Sequence, residues 1–301
     1  MTMPRQILSG TSYLVTRRCA QRQFLLRPDR TISAIFRYVL AVAARRHRIA
    51  VHAFCVLSNH YHLVVTDHEG TLPAFGQYLD SLVARAVNLV LDRSEDFWAP
   101  GSYSAVTLVT PRDVLEKTAY VLANPVAAGL VRHGRDWPGL WSDPAWIDGA
   151  ALECGRPSVF FSETGSMPAS AQLELTRPPG FASTADFIAP LLDTLSRLEA
   201  DAAEELAADG RRFLGVAGVL AQKPTARPGR PAPDEPRQKL NPRIACRDEL
   251  RRREALGRLS SFLHDYRHAL KSWRKGVRDV IFPAGTYLLR LNHAACCAEC
   301  G

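Results

Sequence analysis

The chain has 301 residues, a hydrophobic content of 47% and a formal net charge of +8. This length and apolar content allow one large or two ordinary domains with buried cores, and they exclude a chain that is disordered overall. No apolar run approaches the roughly 18 residues that span a bilayer, and residues 1–10 lack the apolar stretch of a signal peptide. We therefore expect a cytoplasmic protein with no membrane partner. The seven cysteines are odd in number and scattered, which argues against a disulfide framework.

The charge is distributed unevenly along the chain. Residues 1–133 carry 15 Lys+Arg and 9 Asp+Glu, a net charge of +6, whereas residues 134–236 carry 9 and 15, a net charge of −6. Residues 237–278 carry 13 and 4, a net charge of +9. Two basic segments on either side of an acidic one predict two separate surfaces that contact phosphate groups.

The first 110 residues alternate between strand-like and helical patterns. Strands are predicted at residues 12–18, 51–57, 60–66 and 102–109, and helices at residues 31–46 and 72–91. The order strand, helix, strand, strand, helix, strand is the split pattern of a ferredoxin-like (RRM-like) α+β fold, an antiparallel sheet with helices on one face. In that topology the first and third strands lie inside the sheet.

The next helix has clear sequence boundaries. Thr110 can cap it, Pro111 suits its first turn, and Asp113 completes a capping box. Pro125 disfavours the helical conformation at the residue before it, so we expect this helix to end at Asn124.

The remainder of the chain divides by composition. Clear periodicity returns only at a predicted helix over residues 185–208, and five prolines between residues 223 and 236 predict an extended linker. The basic segment after the linker is predicted to be mainly helical. The predicted units are a folded domain at residues 1–150, a partly helical middle region at 151–222, the Pro-rich linker at 223–236, and a basic C-terminal extension at 237–301.

Two histidines, His60 and His62, lie two residues apart in the third predicted strand. Side chains alternate between faces along a strand, so these two imidazoles point the same way. Two histidines on one face can hold a divalent cation from one side and leave its other positions open, as in a catalytic metal site. The alternative interpretation is a hydrogen-bonded histidine with an exposed neighbour.

Tyr120 and Asn124 lie one turn apart on the capped helix. Their spacing alone does not assign them a role, because tyrosines on amphipathic helices are usually packing residues and Asn before Pro is ordinary turn chemistry.

The two runs that contain these residues, 54–65 and 120–131, occur in an order that resembles one family. Together with residues 13–18, Arg22 and Phe24, they resemble the HUH single-tyrosine transposases, most closely the REP-associated tyrosine transposase branch, over residues 5 to about 145. The resemblance implies that residues 1–150 form an HUH catalytic domain. It also implies that His60, His62 and Asn124 ligate Mg²⁺ or Mn²⁺, and that Tyr120 is the nucleophile.

The same resemblance implies a reaction and a partner. The enzyme would be a transposase that cleaves and rejoins single-stranded DNA at hairpin or palindromic elements, such as REP elements, through a 5′-phosphotyrosine intermediate in DNA transposition and recombination. We expect it to associate with the nucleoid. Some members of the family complete the active site from two chains, so a homodimer is a candidate assembly.

Basic side chains in both positive segments are candidate DNA contacts. The expected contacts are Arg17, Arg18, Arg22, Arg251, Arg252 and Arg253. Two other functions remain open from the sequence. One is a domesticated, non-catalytic DNA- or RNA-binding protein on the same scaffold, and the other is a metal-dependent phosphoesterase that uses water.

Overall fold

A five-stranded, mostly antiparallel sheet forms the centre of the structure, a computed structural model that describes residues 4–101, 103–229 and 242–299. The strands are β1 (Thr11–Arg18), β2 (Ile49–Leu57), β3 (His60–Asp67), β4 (Ser104–Leu108), β5 (Leu152–Gly155), β6 (Ser170–Leu173) and β7 (Ile244–Ala245). The helices are α1 (Arg30–Arg46), α2 (Leu72–Val90), α3 (Pro111–Ala127), α4 (Thr184–Ala208), α5 (Gly215–Leu220), α6 (Glu249–Arg274) and α7 (Leu288–His293). Within the described ranges, no helix is long and apolar enough to cross a membrane.

The strand order in the large sheet is β2-β3-β1-β4-β7. β3 pairs antiparallel with β1 on one side and with β2 on the other, so backbone hydrogen bonds hold it along both edges. The six strands and helices predicted before residue 110 are confirmed, with ends within two residues of their expected positions. β7 comes from the basic C-terminal segment and extends the sheet by pairing in parallel with β4.

Helices cover both faces of the sheet. On one face, Tyr61 of β3 packs edge-on against Phe36 of α1, with ring centroids 5.2 Å apart, and donates a hydrogen bond of 2.7 Å to Asp80 of α2. On the other face, its neighbour His62 packs against Tyr120 of α3. The sequence predicted helices on one face of the sheet only. α1 and α2 do share one face, but α3 covers the other, so this part of the prediction is corrected.

The second face requires this cover because its own residues are apolar. Leu14 of β1 pairs with Val64 of β3 and with Val106 of β4, which puts all three side chains on the face that α3 covers. All three are buried, and a sheet face of this composition must pack against another layer.

α3 begins as predicted and ends later than predicted. Both hydrogen bonds of the Thr110 and Asp113 capping box are present. The helix continues through Pro125 to Ala127, and Gly129, two residues later, has a φ of +70° in the left-handed region. The amide of Leu130 bonds to the carbonyl of Pro125 and that of Gly129 to Val126, the Schellman arrangement, so the glycine and not the proline terminates the helix.

The middle region packs onto α3. α4 covers the predicted 185–208 segment and buries Phe187, Leu191 and Leu195, which recur every four residues and form one apolar stripe. Of the predicted Pro-rich linker, residues 230–236 lie outside the described residues. In its first half, the carbonyl of Ala226 accepts a hydrogen bond of 2.9 Å from the amide of Phe24.

The basic C-terminal region has a small apolar core of its own. Phe282 is fully buried, and the rings of Tyr266 and Trp273 from α6 pack against it at 5.7 and 5.8 Å. Besides the β4–β7 pairing, the amide of Ile7 donates to the carbonyl of Gly285 over 3.0 Å. These contacts connect the C-terminal region to the first strands of the chain.

A buried polar network crosses three strands on the α3 face. His52 of β2 donates from Nδ1 to the carbonyl of Thr176 at 2.7 Å, which leaves Nε2 to accept from the hydroxyl of Thr66 at 2.7 Å. Thr66 in turn lies 2.7 Å from the Ser12 hydroxyl. Burial lowers the pKa of His52 from 6.5 to about 4, so the neutral ring is the form that the fold stabilises.

We expect the free energy of unfolding to fall as the pH drops from about 6.5 to about 4. In this range the unfolded chain protonates His52 and the folded chain does not, a difference that amounts to roughly 3 kcal/mol. His52→Gln should flatten the profile, as measured by urea unfolding at a series of pH values. An identical pH dependence in the variant and the parent protein would contradict the assignment.

Candidate active site

His60 and His62 point to the same face of β3, as the alternation of the strand predicts. Their ring centroids are 4.8 Å apart, and the two ring planes are nearly perpendicular, at 89°. His62 is buried, with 5% of its surface exposed, whereas His60 lies at the end of the strand and is half-buried. The pair therefore runs from the buried part of β3 to the less buried end of the same strand.

A hydroxyl on the neighbouring strand orients the buried histidine. Thr16 lies directly opposite His62 in the β1–β3 register, and its Oγ1 is 2.7 Å from Nδ1 of His62. A hydrogen bond from the Nδ1 proton to Thr16 would leave Nε2 as the nitrogen that binds a metal. Burial, followed by the charges of His60 and Arg18, lowers the pKa of His62 well below 6.5. The ring is therefore neutral, which is the form that binds metals.

The second histidine has its own orienting partner. Nδ1 of His60 lies 2.7 Å from Oδ1 of Asn59, the preceding residue. The amide oxygen can only accept, so His60 carries its proton on Nδ1 in this arrangement. Both imidazoles are thus held through Nδ1, and Nε2 is the ring nitrogen that would bind a cation on each.

α3 brings Tyr120 to the histidines. The ring centroids of His62 and Tyr120 are 5.6 Å apart, and the phenol is 41% exposed, so a large substrate could reach it. Lys117, one turn earlier, holds its Nζ 5.4 Å from the centroid of the Tyr120 ring. An exposed phenol beside two imidazoles and an ammonium group is an arrangement suited to a charged substrate.

Asn124 completes the candidate donor set. It follows Tyr120 by one helical turn and therefore lies on the same side of α3, with 9% of its surface exposed. Among the described residues, no group of three His, Cys, Asp or Glu side chains could hold a metal, and the side-chain oxygen of Asn124 is the third candidate ligand. Two imidazoles and one amide fit Mn²⁺ better than Mg²⁺, which prefers oxygen ligands throughout.

The candidate DNA contacts near the site divide between the two faces of the sheet. Arg18 pairs with His60 across the β1–β3 ladder, and its exposed side chain belongs to the histidine face. Arg22 lies in the turn after β1, where its carbonyl accepts from the side chain of Asn59 at 3.4 Å. Arg17 points to the opposite face, where it forms an ion pair with Asp80 at 3.4 Å and is 13% exposed. The structure does not bring Arg17 to the site.

Arg251, Arg252 and Arg253 are exposed in the first turns of α6. An ion pair that the sequence did not indicate connects the segment just before α6 with α3, the helix that carries Tyr120. Arg247 forms an ion pair of 2.9 Å with Glu116, one turn before Tyr120 on α3.

Sequence reasoning also missed Thr16 and Lys117. Thr16 could be found only from the register between β1 and β3, which is a non-local property. Lys117 is spaced for contact with Tyr120, at i and i+3 on one helix, and that signal was present in the sequence.

Neither a protein-family profile nor a curated protein sequence matches this chain. Among solved structures, a REP-associated tyrosine transposase bound to a REP hairpin is similar to it, with 20% identity, a TM-score of 0.40, and coverage of 46% of this chain and 81% of that chain. A candidate transposase from Deinococcus radiodurans R1 is also similar, with 18% identity, a TM-score of 0.27, and coverage of 36% and 85%. These identities and TM-scores are too low to support a function, so a function can be inferred only from the residues of the candidate site.

We expect Thr16→Val to weaken Mn²⁺ binding by roughly 10- to 100-fold, because the variant removes the partner that orients His62. Isothermal titration of the metal-depleted protein with MnCl₂ measures the effect. Thr107→Val on β4 is the matched control and should bind Mn²⁺ as the parent does. Equal affinity in the Thr16 variant would show that the hydroxyl does not position the ligand.

Proposed function

We propose that the protein is a metal-dependent endonuclease and strand transferase that acts on single-stranded DNA through a 5′-phosphotyrosine intermediate. The observation that carries the proposal is the contact of Tyr120 with His62, at 5.6 Å between ring centroids, beside the His60 and His62 pair. The motifs around these residues resemble those of HUH single-tyrosine transposases. The strand order also supports a ferredoxin-like assignment for the catalytic domain.

The residues that would hold the metal are His60, His62 and Asn124. A bound Mn²⁺ or Mg²⁺ would neutralise the charge of a phosphodiester and align it for attack. The chain's own contribution is to orient the two imidazoles through Thr16 and Asn59 and to leave one side of the site open.

The proposed step is an in-line exchange at phosphorus. The oxygen of Tyr120 forms a bond to phosphorus, the bond from phosphorus to the 3′-oxygen breaks, and that oxygen takes up a proton to become a 3′-hydroxyl. The phenolic proton passes to solvent as the tyrosine oxygen attacks, and Lys117, whose Nζ lies 5.4 Å from the centroid of the Tyr120 ring, supplies positive charge near the reacting groups. One phosphoester bond replaces another, so a 3′-hydroxyl can reverse the step and join strands without ATP.

The DNA would approach over the exposed side of Tyr120. Arg18 and Arg22 are at the edge of this face, and Arg251 to Arg253 lie on the helix whose start is tied to α3 through Arg247. We propose these groups as phosphate contacts, and we leave Arg17 out because it pairs with Asp80 on the other face. Recognition of hairpin or REP elements, nucleoid association and a homodimer remain predictions.

Tyr120→Phe should abolish the covalent protein–DNA adduct while DNA binding persists, because the variant removes only the attacking oxygen. The assay incubates the protein with labelled single-stranded hairpins from its genomic flanks and Mn²⁺ and resolves the products on a denaturing gel. Tyr78→Phe on α2 is the matched control and should form the adduct at the parent level.

The same gel separates the remaining functions. Cleavage without an adduct in both the parent and the Tyr120 variant would indicate a water-using phosphoesterase. Binding without cleavage in the parent, at all metal concentrations, would indicate a non-catalytic nucleic-acid-binding protein.

Asn124→Leu should lower Mn²⁺ affinity and adduct formation together, because leucine fills the space of the amide without an oxygen ligand. Asn124→Asp should retain both, since it preserves an oxygen and adds a negative charge. Titration with MnCl₂ and the adduct gel measure the two effects. Parent-level metal affinity in the leucine variant would exclude Asn124 as a ligand.

A further inference from the structure

The segment that follows α4 runs beside the candidate active site. We call residues 214–226 the strap; they include α5 and residues 223–226 of the predicted Pro-rich linker. Val219 of the strap is fully buried in the main apolar core, so this part of the chain packs against the sheet and its helices. The partners of the strap lie far away in the sequence, so no local pattern indicated this position.

The strap begins against the end of α3. The amides of Leu214 and Gly215 donate to the carbonyls of Gly129 and Leu130, at 3.0 and 2.9 Å. Gly215 has a φ of +76°, in the left-handed region that glycine adopts without strain. The strap is therefore fixed to the C-terminal end of the helix that carries Tyr120.

The rest of the strap is bonded to the loop between β1 and α1. The carbonyl of Leu220 accepts a hydrogen bond of 2.8 Å from Nη1 of Arg27, and the carbonyl of Ala226 accepts one of 2.9 Å from the amide of Phe24. Both acceptors are backbone atoms of the strap. These bonds therefore fix the course of the strap without depending on its side chains.

Between these contacts, one side chain of the strap reaches the turn that precedes the histidines. Oε1 of Gln222 accepts a hydrogen bond of 2.9 Å from the hydroxyl of Ser58, 164 residues earlier in the chain. Ser58 is 3% exposed, and with Asn59 it forms the two-residue turn between β2 and β3. Oδ1 of Asn59 lies 2.7 Å from Nδ1 of His60. Consecutive contacts thus connect the strap to the orientation of His60.

The position of this turn affects the metal site directly. The backbone carbonyls of Ser58 and Asn59 accept from the amides of Leu26 and Cys19, both at 2.8 Å, and His60 is the next residue of the chain. A buried hydroxyl that loses its acceptor is costly, so loss of the Gln222 oxygen would favour rearrangement of the turn. Metal ligands must be held within about 0.5 Å of their working positions, so such a rearrangement would weaken binding.

We propose that the strap is a positioning element of the active site and that Gln222, through the β2–β3 turn, holds His60 in the orientation that binds a metal. The inference rests on the proposed metal site and adds to it a residue from outside the predicted catalytic domain. Gln222 acts through other residues, so it is a positioning residue and not a ligand. Because the strap also bonds to the end of α3, it connects the helix of Tyr120 with the histidine turn.

Gln222→Leu should weaken Mn²⁺ binding by about 10-fold, the lower end of the range for groups that orient metal ligands, because it removes the acceptor of the Ser58 hydroxyl. Gln222→Glu keeps an acceptor oxygen and should bind Mn²⁺ at least as tightly as the parent. Isothermal titration of the metal-depleted proteins with MnCl₂ measures both. Gln77→Leu on α2 is the matched control, since Gln77 is exposed on the opposite face of the sheet, and it should bind as the parent does.

Ser58→Ala removes the same hydrogen bond from the other side and should weaken Mn²⁺ binding by a similar factor. The double variant Ser58→Ala/Gln222→Leu should lose about 10-fold and not about 100-fold, because both changes remove one interaction. Additive losses would indicate two unrelated effects and would overturn the proposal. Thermal unfolding establishes that the variants fold, and Ser58→Ala carries the test if Gln222→Leu does not fold.

Amide hydrogen exchange in the metal-free protein reports on the turn itself. The amide of Leu26, which bonds to the carbonyl of Ser58, should exchange at least several-fold faster in Gln222→Leu. The amide of Phe54, which bonds to the hydroxyl of Ser142 within β2, should keep its parent rate. Parent-level Mn²⁺ affinity in Gln222→Leu, or an unchanged rate at Leu26, would overturn the role of the strap alone. Failure of the parent to bind Mn²⁺ would overturn the proposed metal site and this inference together.

Discussion

The antiparallel register between β1 and β3 is the constraint on which both sides of the structure depend. Because side chains alternate along a strand, a shift of one residue would exchange His62 with Tyr61 between the faces. Each face carries a contact that opposes this shift. Tyr61 bonds to Asp80 at 2.7 Å on one side, and His62 bonds to Thr16 at 2.7 Å on the other. The histidine pair is thus positioned by the same pairing that builds the apolar core.

The two ends of α3, the helix that carries Tyr120, differ in whether the sequence predicts them. Its start could be predicted, because the capping box of Thr110 and Asp113 is a local pattern with a local cause. Its end could not, because the restriction that Pro125 places on the preceding residue is weaker than the packing of α3 between the sheet and α4. The result matters for the site, since Asn124 lies inside a continuous helix and so stays one turn from Tyr120 on the same side.

Local sequence patterns predict part of this fold, and pairings between residues far apart in the sequence determine the rest. The order and approximate ends of the first six elements were predicted from periodicity, and the shared direction of His60 and His62 was predicted from alternation. Alternation puts Arg17 and Arg18 on opposite faces of the sheet, but which of them shares the face of the histidines depends on the register between β1 and β3, whose paired residues lie more than 40 positions apart in the sequence. The pairing of β7 with β4 likewise joins residues that no local pattern connects.

Asp113 shows how the C-terminal region is tied to the nucleophile helix. One carboxylate oxygen accepts the amide and the hydroxyl of Thr110, at 2.9 and 2.6 Å, and the other accepts the amide of Arg247 at 2.9 Å. The guanidinium of Arg247 reaches Glu116 one turn further along α3. A carboxylate at a helix N-terminus is stabilised by the helix dipole, so this buried group caps α3 and anchors the chain that leads into α6. The basic helix is therefore held against the start of α3 by hydrogen bonds and an ion pair, in addition to its covalent connection through the chain.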